Sequence, residues 1–141
     1  YNTVDYCGYY YFLNNDSVTK KSKNKEEELK YAISLFEEIN AKTSNKKISL
    51  YEQNMFINFY IIHFVYILNM CCRNSTKEYI LAMLEKFYLF LNSIDKSWYK
   101  VKSPTKESFK NKVAIYSIKK IYKFKLSKVF SFLFSFLFNK K

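Results

Sequence analysis

One glycine and one proline in 141 residues leave little to turn a β-protein with. Tight hairpins draw on these residues because short turns need a positive or a fixed φ. Helices need neither, so their scarcity points to an all-α chain. The lone glycine, Gly8, also excludes glycine-rich loops that cradle phosphates. One histidine, His63, and three cysteines, Cys7, Cys71 and Cys72, are too few and too poorly spaced for a zinc site. No Ser or Cys stands in a recognisable elbow or triad context. His63 therefore reads as a satisfied core histidine, and no enzymatic activity, cofactor, metal or small-molecule substrate is expected. An odd cysteine count with two neighbours speaks against a disulfide framework and for buried free thiols. Arg73 is the only arginine. Base-specific reading of nucleic acid, which relies on bidentate guanidinium contacts, is poorly supported.

Lysine, phenylalanine, tyrosine, isoleucine and asparagine fill the space. All have AT-rich codons, and a Lys:Arg ratio of 23:1 fits an AT-rich genome. Such a bias accounts for part of the positive charge but not for its position. Residues 100–141 hold twelve lysines against a single acid, Glu107, a net +11, whereas residues 1–99 hold twelve basic and eleven acidic side chains, a net +1. Tyr1 is not an initiator Met and no signal-peptide layout follows it, so the sequence reads as a fragment or processed product.

The patterning predicts a bundle of about four helices. Leu29, Ala32, Ile33, Phe36 and Ile39 share one helix face, and Glu26, Glu27 and Glu28 occupy the first turn, where the macrodipole favours acids. A helix over 25–42 follows. Ser49-Leu-Tyr-Glu52 matches the capping box and opens a helix over 50–72. Ser75 with Glu78 supplies a second box, ahead of the stripe Ile80, Leu84, Phe87 and Leu91, for a helix over 76–92. Ser103-Pro104 fits an N-cap with proline at the first helical position. The end of that helix stays open. Ile115, Ile118, Tyr122, Leu126, Val129 and Leu133 keep helical spacing, but Phe130, Phe132, Phe134, Phe136 and Phe138 alternate as in a strand. Helix is the preferred reading. Residues 1–24 are left unassigned, residues 25–118 form the helical domain, and 119–141 a basic, aromatic C-terminal segment.

Two stretches bear on membranes. Residues 55–72 carry no formal charge other than what His63 contributes when protonated, at the lower edge of the length of a span. Asn58, His63 and Asn69 interrupt them, which favours the mostly buried central helix of a soluble bundle over a transmembrane helix. The second stretch is the tail. Lys119, Lys120, Lys123, Lys125 and Lys128 precede ten residues that are apolar except for Ser131 and Ser135. Ten residues cannot span a bilayer as a helix, but they suit an interfacial segment with lysines on anionic lipid and aromatics at the headgroup boundary. The lysines and Phe130, Phe132, Phe134, Phe136 and Phe138 are thus the candidate contacts with a membrane or another polyanion. Alternatively the phenylalanines complete the core. A non-specific nucleic-acid-binding helical protein is the competing reading, since lysines interleaved with Tyr116, Tyr122 and Phe124 can neutralise phosphates and stack bases.

Ala32-Ile-Ser-Leu-Phe-Glu-Glu-Ile39 and, about twenty residues on, Phe59-Tyr-Ile-Ile-His-Phe-Val-Tyr-Ile-Leu-Asn69 resemble part of the variant interspersed-repeat family of Plasmodium malaria parasites. The resemblance covers about 40 residues. It implies a helical, non-enzymatic variant antigen of a multigene family, exported to the infected host cell or displayed on its surface. The sequence departs from the family in two ways. Its N-terminal cysteines are unmatched beyond Cys7, and here basic residues precede an apolar tip instead of following a membrane span. The expected setting is membrane-associated, with an anionic surface or a protein as partner.

Overall fold

A computed structural model describes residues 26–103 and 106–138. Among them are five α-helices, a 3-10 turn and no strand. The helices are α1 (Glu26–Ser44), α2 (Leu50–Cys71), α3 (Lys77–Ile94), α4 (Phe109–Lys123) and α5 (Ser127–Phe138), with the turn at Trp98–Lys100. The all-α expectation holds, with one helix more than expected. The extra one arises because the C-terminal helical pattern is cut in two at Lys125.

That cut is a Schellman motif. Leu126 N–H donates to the Ile121 carbonyl at 2.9 Å and Lys125 N–H to that of Tyr122 at 3.2 Å. Lys125 takes the left-handed conformation, φ 54°, that closes the motif. Glycine is the usual residue there, and this chain uses a lysine. The strand period of the phenylalanines is therefore overridden, and residues 127–138 are helical.

Capping sets the other boundaries. The first capping box forms as expected, with Ser49 N–H donating to the Glu52 carboxylate at 2.7 Å and Glu52 N–H to Ser49 Oγ at 3.2 Å. The second does not. Thr76 caps α3, its hydroxyl accepting from Tyr79 N–H. Ser75 lies one residue too early, because its own N–H closes the preceding turn onto the Cys72 carbonyl. Likewise α4 begins at Phe109, capped by Ser108 accepting from Asn111 N–H. The cap expected at Ser103 is not used, and Pro104 lies outside the described residues.

The core joins all five helices. α1 packs on α2 and α3, α4 on α2, and α5 along α3. Leu29, Ile33, Ile57, Ile61, Phe64, Ile80, Leu84, Phe87 and Leu91 are wholly buried. Phe64 and Phe87 stack with centroids 4.0 Å apart, and Phe36 meets Tyr60 at 5.2 Å. Trp98, also wholly buried, tucks between α3 and α4 beside Tyr88 and Tyr122.

α2 is long and apolar enough to cross a membrane, a test that the core helix of a soluble protein also passes. It is not the mostly buried helix expected, since only 33% of its most apolar stretch is buried. Ile57, Tyr60, Ile61, Phe64 and Leu68 face inward, while Tyr51, Met55, Phe59, Tyr66 and Met70 stay exposed.

Candidate functional site

The helical conformation of residues 127–138 decides what the tail presents. Each residue advances about 100°, so phenylalanines two apart cannot share a face, whereas those four apart do. Phe130, Phe134 and Phe138 turn inward; Phe134 is 8% exposed and the other two are half-buried against the core. Phe132 and Phe136 turn outward, and Val129, Leu133 and Leu137 share that side. With Leu126 at the turn, these residues form one apolar stripe, each between 42% and 73% exposed. A contiguous apolar stripe on the surface of a folded chain is often an interaction surface.

The serines of α5 lie on the other side. Ser131 is 2% exposed and its hydroxyl donates to the Lys128 carbonyl at 2.9 Å. Ser135 is half-buried and donates to the Ser75 carbonyl at 3.4 Å, tying α5 to the turn before α3. The helix is thus apolar on both sides, with Phe130, Phe134 and Phe138 inside beside the serines. Its hydroxyls are inside and its outer face is wholly apolar from residue 129 to 137.

The five candidate lysines separate as well. Lys119 is not a free surface cation. Its ammonium donates to the Val101 carbonyl, and burial lowers its pKa below the ordinary lysine value. Lys120 lies 5.1 Å from the Tyr116 ring and 5.4 Å from Phe124, and Lys123 lies 5.6 Å from Phe124. Both therefore rest on exposed aromatics at the end of α4. Lys125 and Lys128 are exposed at the turn into α5. Lys120, Lys123, Lys125 and Lys128 form a basic collar at one end of the apolar stripe.

Sequence reasoning missed two further cations, both beside α5. Lys77, at the start of α3, lines a cleft of about 330 Å³ with Phe132, Ser135 and Phe136. Arg73 lies 5.2 Å above the Phe138 ring. Both come from the turn that Ser135 holds, some sixty residues away in sequence. Nothing in local patterning marks them, and only the packing of α5 along α3 does.

The groups with chemical potential lie elsewhere. His63 is exposed, not a core histidine. Its Nδ1 is 2.9 Å from the Phe59 carbonyl one turn back, and its ring lies 4.0 Å from that of Phe59. The surrounding helix places it on the outer side of α2. Cys72 is buried, and burial pushes its thiol up to about 11, aided by the negative charges of Glu26 and Glu28 and opposed by a hydrogen bond with Ser75. It stays protonated at neutral pH, the wrong state for a nucleophile. Cys71 is half-buried and its thiol donates to Glu28 at 3.0 Å. Cys7 lies outside the described residues. Among the described residues no group of three or more His, Cys, Asp or Glu is placed to hold a metal ion.

Comparison with protein-family models, with curated proteins and with solved structures finds no match for this chain.

Proposed function

We propose that this protein works by binding, resting reversibly on an anionic membrane surface through α5 and the basic collar beside it. The observation that supports this most is the exposed apolar face of α5 beside the lysines. The inner face of this helix takes Phe130, Phe134 and Phe138 into the core together with Ser131, so Val129, Phe132, Leu133, Phe136 and Leu137 are left on the side away from the core. The arrangement found leaves these five exposed, which is unfavourable in water at about 25 cal/mol per Å² and favourable where the solvent is lipid. Lys120, Lys123, Lys125 and Lys128 add about 1 kcal/mol each near an anionic surface, so about 4 kcal/mol at most. Neither contribution alone anchors a protein firmly; together they give reversible attachment. The resemblance of residues 32–39 and 59–69 to the interspersed-repeat family supports reading that membrane as one of an infected host cell, with the protein an exported or surface-displayed variant antigen.

The test is flotation of the folded chain with phosphatidylcholine vesicles, with and without phosphatidylglycerol, at low and high salt. Removing the whole tail is a poor perturbation, because Phe134 and Ser131 belong to the packed face. Phe132→Ser with Phe136→Ser changes only the outer face. Binding that needs anionic lipid, weakens with salt and is lost in the double variant supports the reading. Undiminished flotation of a folded double variant overturns it. Retention on a polyanion column without flotation transfers the basic collar to nucleic acid.

A further inference from the structure

The cleft beside Lys77 differs in kind from the rest of the stripe. It brings a cation from the start of α3 against two outward aromatics of α5, and Ser135, bonded to the Ser75 carbonyl, forms part of its lining. A cation bordering an apolar groove matches the point on a phospholipid where phosphate gives way to glycerol and acyl chain. Lys77 has one weak competitor. Glu78 approaches it at 3.8 Å with both side chains more than half exposed, a pair that contributes little in water and yields readily to a phosphate. Arg73, over the Phe138 ring, adds positive charge on the same turn; its guanidinium is held by the Asn69 carbonyl at 3.0 Å and the Asn69 amide oxygen at 3.3 Å.

We infer that this cleft seats a single anionic phospholipid, its phosphate on Lys77 and the upper part of its acyl chain across Phe132 and Phe136. The inference rests on the membrane reading above and adds a specific lipid contact to it. It also fixes orientation. The collar at Lys120, Lys123, Lys125 and Lys128 lies at the start of α5 and Lys77 lies on its flank, so contact with both lays the helix along the membrane plane.

The experiment compares partition of the full chain and three variants onto phosphatidylcholine vesicles containing phosphatidylglycerol. Lys77→Gln removes the cation. Lys77→Arg keeps it. Lys30→Gln removes an equal charge from an exposed position on α1, whose main packing is against α2 and α3. A seated phosphate predicts a loss of about fivefold or more for Lys77→Gln, the effect of one well-placed lysine. Lys77→Arg stays near the parent, and Lys30→Gln falls by less than half as much. Equal losses for Lys77→Gln and Lys30→Gln overturn the inference while leaving the membrane reading intact, provided Phe132→Ser with Phe136→Ser still abolishes flotation. Glycerol 3-phosphate in solution separates a lipid from a free phosphate. Failure to compete supports the lipid, and full competition at millimolar concentration overturns it.

Discussion

Asn92 is the joint between α3, the 3-10 turn and α4, and replacing it by leucine tests that assignment. Its Oδ1 accepts from Trp98 Nε1 and from the Tyr122 hydroxyl, both at 3.2 Å. The indole N–H can only donate, so the amide oxygen must face it. Around this point Trp98 and Tyr122 lie 4.8 Å apart, Tyr88 and Tyr122 5.0 Å, and Tyr99 and Tyr122 5.4 Å. Trp98 is 0% exposed, so Asn92→Leu strands its N–H without water, at about 1–3 kcal/mol. The Tyr122 hydroxyl is only half-buried and rebonds to solvent, losing about 0.5–1 kcal/mol. The added apolar burial of leucine offsets part of this, and the net is about 2 kcal/mol. That is a large fraction of the roughly 5–15 kcal/mol holding a domain of this size, yet it leaves the protein folded.

Trp98 is the only tryptophan, so its fluorescence reports the site itself during urea unfolding. With a slope of about 2 kcal/mol per M, the midpoint falls by about 1 M. Tyr122→Phe alone costs about 0.5–1 kcal/mol, and next to nothing when Asn92 is already leucine, because the bond has gone. An unchanged midpoint for Asn92→Leu at an unchanged slope refutes the reasoning. So would two fully additive substitutions.

Other outcomes follow from single positions. Lys125→Gly relieves the left-handed strain, about 1–2 kcal/mol, but loosens the unfolded chain by about 0.5–1 kcal/mol, so the thermal midpoint rises by a few degrees. Lys125→Ala removes the same charge without that rise, and equal midpoints for the two variants discard the strain argument. Glu52 is held below the usual carboxylate range by its bonds from Ser49, so its contribution is present above the ordinary value of 4.5 and fades as pH drops through its lower folded value. A Glu52→Gln variant should therefore lose less stability than the parent between pH 5 and acid, by circular dichroism. Cys72 should stay unmodified by a thiol reagent at pH 8 in the native protein and react fully in denaturant; rapid native modification contradicts its burial and its high pKa.

The fold was legible where local chemistry decides it. The Leu29, Ala32, Ile33 and Phe36 stripe is the buried face of α1, and Ser49 and Glu52 build the expected box. Legibility failed where a local choice depended on a neighbour's hydrogen bond. Ser75 and Thr76 are both competent caps, and the bond from Ser75 N–H to Cys72 decides between them. The break at Lys125 was hidden because a lysine stands where glycine normally signals the stop. α2 was read as mostly buried because Asn58, His63 and Asn69 spoke against a membrane span, and a sequence does not say how many neighbours a helix has. The candidate surface was half legible. The collar lysines and Phe132 and Phe136 were read from the tail, whereas Lys119 and the inward phenylalanines required the packing, as did Lys77.

An AT-rich codon supply can produce many phenylalanines and lysines, but it does not sort them. In α5 the Phe-Ser-Phe-Leu repeat places serines four residues apart, so the helical period gathers them on one side whatever the origin of the repeat. Which side they occupy is then a matter of packing. Phe134 is buried and Ser131 is more so, and Phe132 and Phe136 are left outside with Leu133 and Leu137. Composition accounts for the presence of an apolar stripe. The serines are inside because they share a face with Phe130, Phe134 and Phe138, and a helix apolar all round that packs on one side leaves its other rings exposed. The hidden serines lose little, since their hydroxyls bond internally to Lys128 and Ser75, and the membrane proposal concerns only the rings left outside, which would gain where the solvent is lipid.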